Sequence, residues 1–153
     1  MIYEELLIES EKSGIKIKEK SLKYGFKGLY KNAKVIINSN IKTNNEKSCV
    51  LAEELGHHFK TVGNIVDQSN QSNKKQEKIA RNWAYEKLVG IVQIINAFKD
   101  GINTRYEMAE YLNVTEDFLE DAIQHYREKY GEYYRIDCYM IYFYPFFGIM
   151  KIF

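Results

Sequence analysis

The residues best suited to chemistry lie in one stretch, residues 49–58, which read CVLAEELGHH. Within it, Glu53-Glu54-Leu55-Gly56-His57 differs by one letter from His-Glu-x-x-His. In that pattern two histidines on one helix hold a zinc ion and the glutamate between them handles the proton of a water. Here a carboxylate stands at the first ligand position. Side chains four apart on a helix share a face, so Glu53 and His57 can share one ion. Glu54 follows about 100° further round the helix, where the pattern places its general base. A rival pair, Glu54 and His58, would put Leu55 at the base position, and leucine moves no proton. His58 also continues a stripe of Leu51, Leu55 and Val62, which makes it a core-facing or substrate-lining residue. Gly56 costs about 1 kcal/mol relative to alanine inside a helix; a close approach of another backbone or of a substrate would justify it.

A zinc site needs a third protein ligand and an open position for water. The next helical stretch, KKQEKIARNWAYEKL, offers Glu77, with Ala80 and Ala84 along the same face. The two alanines let this helix pack closely on the first and bring Glu77 toward Glu53 and His57. Such a ligand set carries two negative charges, so its water should be less acidic and its preference for zinc over manganese or iron weaker. An oxyanion donor is also required, and His58, Tyr85 and the other tyrosines are candidates. Cys49, one turn before Glu53, reads as a small buried residue more than as a ligand. The same letters, EELGHH, would also suit an ordinary solvated acidic face, because glutamate pairs are common on helices.

The positioning elements follow from pattern. MIYEELLIESEKSG predicts a short amphipathic helix stopped by Gly14, and IKIKEK alternates like a half-buried strand. Residues 28–41 predict a hairpin turning at KNAK. Thr43 and Glu46 form a capping box that opens the motif helix, expected to run to about Gly63. DQSNQSNKK is expected as a loop, followed by a helix capped by Asn73 or Gln76 over about 74–99. Thr104 and Glu107 open a short helix, and Asn113 or Thr115 caps another that ends at Gly131. The last 20 or so residues predict one or two strands, with Pro145 at an edge or turn. Trp83 and Ile79 are expected in the core and His125 on the surface. The tyrosine-rich tail reads as a half-buried strand rather than an exposed patch.

The bulk numbers bound the class. The chain has 153 residues, 45% hydrophobic and 28% charged, with a formal net charge of +1. These fit one globular domain and give no global field for nucleic acid or anionic membrane. Two cysteines make no disulfide framework, and no signal peptide or apolar run of membrane-spanning length is present. A cytoplasmic location is the simplest expectation.

The string VIINSNIKTNNEKSCVLAEELGHHFKTVG, followed by Glu77-Lys78-Ile79-Ala80-Arg81-Asn82-Trp83-Ala84, resembles the ImmA/IrrE family of metallopeptidases of phages and mobile elements. In that family a strand and loop lead into the metal helix, and a second helix carries E-x-x-A-x-x-[FW]-A. The resemblance spans roughly residues 20–130, and its EELGH form is similar to that of phage-type members. It implies Glu53, His57 and Glu77 as metal ligands, Glu54 as catalytic base and Zn2+ as the ion. It further implies a protein substrate, a helix-turn-helix repressor encoded nearby. The expected fold is α+β in one domain, residues 1–153. A zincin-like core over about 20–100 is followed by a helix-turn-helix-like segment over about 101–131 and a C-terminal strand region over 132–153. One alternative is a pseudo-peptidase that acts by binding a protein. The other is a DNA-binding regulator, and Glu116, Asp117, Glu120 and Asp121 at the start of the second helix of that segment speak against it, since phosphates would repel them.

Overall fold

The computed structural model describes residues 2–61 and 70–153, the side chains of 70–72 excepted. Helix α1 (Ile2–Lys12) leads into three strands, β1 (Lys16–Lys20), β2 (Gly28–Lys31) and β3 (Lys34–Asn38). Helices α2 (Asn44–Lys60), α3 (Asn70–Leu88), α4 (Ile91–Lys99), α5 (Arg105–Leu112) and α6 (Glu116–Tyr130) follow, and β4 (Tyr133–Ile136), β5 (Tyr139–Tyr142) and β6 (Gly148–Lys151) close the chain. The architecture is α+β. None of the described helices is long and apolar enough to cross a membrane.

The first sheet has the order β1-β3-β2. β3 lies in the middle, parallel to β1 and antiparallel to β2. Val35 and Ile37 alternate inward and are buried, as the period of two requires. Asn32 and Ala33 take positive φ at the hairpin turn, the two-residue geometry that matches the twist of the flanking strands. Among the described residues β2 pairs on one side only, and it packs against α2.

Local capping sets the starts of α2, α5 and α6. The hydroxyls of Thr43, Thr104 and Thr115 accept from the backbone N–H of Glu46, Glu107 and Phe118 at 3.2, 3.1 and 3.2 Å. Asn113, in the left-handed region at φ 58°, ends α5 rather than capping α6. Leu51 and Leu55 bury one face of α2, each stabilising the fold by roughly 1.5–3 kcal/mol.

α2 packs most extensively on α3. The contact is backbone-close: a Cβ added at Gly56 would lie 2.3 Å from the Ala80 carbonyl oxygen. Ala80 and Ala84 are completely buried. The small residues therefore do what their spacing suggested, and Gly56 is explained by the approach of another backbone.

Several expectations need correction. α3 starts at Asn70, so residues 70–75 of the supposed loop are helical and Asn73 and Gln76 lie inside the helix. Residues 67–69 of that loop, Val62 and the expected helix end at Gly63 fall outside the described residues. The helix expected over 74–99 is two helices; Val89 and Gly90 separate them, and Gly90 is extended at φ −73°, ψ 153°. Apolar periodicity continues across that break, so pattern alone runs through it. The tail forms three strands, a meander of order β4-β5-β6, with Pro145 between the last two. Ile79 is exposed and Trp83 only half-buried, its ring 5.3 Å from that of Phe59. His125 is buried, not a surface residue, because α6 packs on α3 with the Tyr85 and Tyr126 rings beside the imidazole.

Candidate active site

A cleft of about 480 Å³ lies where α2, α3 and the start of β2 meet. Glu53, Glu54 and His57 line it from α2, Glu77 and Arg81 from α3, and residues 26–30 from the sheet side. All four site residues named from the sequence therefore share one cavity. His57 is buried, and its Nε2 lies 3.0 Å from Glu77 Oε1. This contact joins the i, i+4 pair of α2 to the acidic residue of α3 across the Gly56–Ala80 approach.

The electrostatics follow from burial and these contacts. Burial pushes the Glu54 carboxyl up to about 7, partly offset by His57. Glu53 is also raised by burial, against the pull of Arg81. The hydrogen bond with Glu77 raises His57, and the same bond holds Glu77 below the usual carboxylate range. Gly28 lets the β2 backbone press on Glu54: a Cβ there would lie 3.0 Å from Glu54 Oε1 and 2.7 Å from Val50 Cγ1.

The donors suit a divalent ion in kind, one imidazole and two carboxylates lining one cleft. They are not assembled as a finished ligand set. Among the described residues no three or more His, Cys, Asp or Glu side chains converge on a metal position. His57 and Glu77 are bonded to each other instead, and an ion would have to replace that bond. His57 Nδ1 is buried without a hydrogen-bond partner among the described residues.

The other candidates fall elsewhere. His58 is half-buried, outside the cleft lining, and its Nδ1 lies 2.8 Å from the Tyr30 hydroxyl. That hydroxyl also accepts from the N–H of Ala33 at 3.3 Å, so its own proton is free for His58. Tyr85 belongs to a neighbouring cleft of about 680 Å³ between α3 and α6, together with Asp121 and His125. Cys49 is buried and does not line the cleft, and burial pushes its thiol up to about 12.

Sequence reasoning missed Arg81 and Gly28. Arg81 lies one turn beyond Glu77, 3.9 Å from its Oε2, and lines both clefts. Its i, i+4 spacing from a candidate ligand was the available signal. Gly28 had none, because its role is a contact between elements distant in sequence.

No curated protein and no solved structure matches this chain. A family model does: it covers residues 10–124, a span that includes every candidate site residue, and on that match the chain belongs to Peptidase M78, the family of the IrrE N-terminal-like domain.

Proposed function

We propose that the chain is a metal-dependent endopeptidase that hydrolyses a peptide bond in a cytoplasmic protein substrate, with Glu53, His57 and Glu77 holding Zn2+ and Glu54 as general base. The observation that carries this is the gathering of these four residues in one cleft of a Peptidase M78 chain. Mn2+ and Fe2+ suit the same carboxylate-rich set. When bound, the ion supplies Lewis-acid polarisation of a carbonyl and of water.

The chain's own groups do the rest. Glu54, half-buried and basic enough near neutrality to take a proton, receives it from water and passes it to the leaving amine. Gly28, Leu29 and Tyr30 of β2 line the cleft, and an extended peptide can add to the edge of β2 that is unpaired among the described residues through backbone hydrogen bonds. In this view α2, α3 and the first sheet form a zincin-like core. The family resemblance points to a helix-turn-helix repressor of a phage or mobile element as substrate. DNA itself suits α6 poorly, since its first turn presents Glu116 and Asp117.

The test is metal analysis of protein purified without chelator, then incubation with repressors encoded beside the gene. About one divalent ion per chain and a cleaved repressor are expected. His57→Ala should lose the ion, whereas Glu54→Gln should keep it and lose at least roughly 100-fold in cleavage rate. Full metal retention by His57→Ala would end the ligand assignment.

A second function, protein binding without cleavage, is favoured by the His57–Glu77 hydrogen bond, which pairs two of the proposed ligands with each other. Its mark would be a stable complex with repressor that no added metal converts to cleavage.

A further inference from the structure

We propose that Arg81 is a built-in counter-cation of the Glu53 and Glu77 carboxylates, competing with a divalent ion for them and so setting the site's metal affinity. The inference rests on the metal site proposed above and adds a positioning residue to it.

Three half-buried or cleft-lining carboxylates share about 480 Å³ with one imidazole. Uncompensated, they would repel one another strongly where water is partly excluded. Lys27 also lines the cleft, but its ammonium is bound to Glu46 at 2.8 Å. Arg81 is placed differently. It approaches Glu77 at 3.9 Å, beyond hydrogen-bonding distance, and its guanidinium has five donors. Its side chain is about half exposed, at 54%, so it can withdraw toward the adjoining α3–α6 cleft, which it also lines. A cation that neutralises the carboxylates without locking onto them can yield when a stronger cation arrives. Glu53, standing where the common motif has a neutral histidine, adds the negative charge that makes such a partner useful.

The experiment compares the full chain with Arg81→Gln, Arg81→Lys, Glu53→Gln and the Glu53→Gln/Arg81→Gln pair. Zinc affinity is measured by chelator competition and melting temperature with and without zinc. Arg81→Gln should bind zinc roughly three- to tenfold more tightly, because it removes a positive charge beside the ion, while Arg81→Lys stays near the parent. A merely structural arginine would give weaker binding on removal. Without metal, Arg81→Gln should melt a few degrees lower, and most of that loss should vanish when Glu53 is also glutamine. Unchanged or weaker zinc binding by Arg81→Gln overturns the competition. If no variant takes up zinc, the proposed metal site itself fails. The metal-free coupling then judges Arg81 alone: additive losses overturn its counter-cation role and non-additive losses support it.

Discussion

At the scale of single residues, the unusual choice is Glu53. A carboxylate oxygen can bind zinc at about 2.0–2.2 Å, but it adds a negative charge where histidine would add none. Glu53→His should keep or tighten zinc binding, since imidazole suits zinc well and leaves Glu54 and Glu77 with less mutual repulsion. Chelator competition on both proteins measures this, and loss of zinc by Glu53→His would show that position 53 faces no ion. The gathering of these residues in one cleft was legible in the letters because its logic is local: Glu53 and His57 are one turn apart, and Glu77 precedes two alanines on one face. The burial of His125 was not legible. Its neighbour Tyr85 is brought to it by the packing of α6 on α3, and no spacing within α6 encodes that. The partner Glu86, whose Oε2 is 3.4 Å from His125 Nε2, is equally remote in sequence.

At the scale of elements, two contacts invite measurement. The Gly56–Ala80 approach holds α2 and α3 at the distance that lets His57 reach Glu77. Gly56→Ala would place a methyl against a backbone carbonyl that no rotamer can move, and should cost about 3 kcal/mol, read by urea unfolding. Its metal affinity should fall as well, because the helices must part. A variant as stable as the parent would mean the interface is more compliant than its 2.3 Å Cβ–oxygen approach implies. The second contact ties α1, β1 and α2 together: the Tyr3 hydroxyl donates to Glu19 Oε1 at 2.6 Å, and Lys47 Nζ reaches Glu19 Oε2 at 3.2 Å. The Tyr3 bond is the main reason the Glu19 carboxyl titrates below its ordinary range. A carboxyl depressed in the folded state contributes stability above its unfolded pKa and loses it as pH falls through the folded value. Tyr3→Phe should therefore lower stability at pH 7 by about 0.5–1 kcal/mol, kept small by the exposure of Glu19, and flatten the loss of stability as pH falls below the ordinary carboxylate range. Urea midpoints at several pH values decide it; parallel curves for the two proteins would remove Tyr3 from the acid response. Elements with local signals were readable, as with the threonine caps of α2, α5 and α6 and the alternation of β1. The α3–α4 break was not, because Ile91, Ile94 and Ile95 prolong the apolar pattern of α3 while Gly90 changes only the backbone direction. The third C-terminal strand was missed for a related reason: GIMK is too short to signal a strand until β5 lies beside it.

At the scale of the whole molecule, the candidate site and the C-terminal sheet share a core. One cluster of buried side chains runs from Tyr3 and Leu6 through Leu51, Leu55 and Leu119 to Ile141 and Phe143. α6 is the link. Tyr126 is almost fully buried and its hydroxyl donates to the Val89 carbonyl at 2.7 Å, while its ring lies 5.7 Å from that of Phe143. A core that crosses from the first sheet to the last through one helix should not come apart in pieces. The chain should therefore unfold in a single transition, as one domain. Trp83, the one tryptophan, reports from α3, where its ring lies 5.3 Å from that of Phe59 on α2, and Ile141 lies in β5 with no exposure. Ile141→Ala should cost roughly 2–5 kcal/mol and shift the Trp83 fluorescence transition and the far-ultraviolet circular dichroism transition by the same amount. If Ile141→Ala lowers the circular dichroism midpoint and leaves the Trp83 transition where it was, the C-terminal sheet is a separate folding unit. The peptidase-like core would then stand without it.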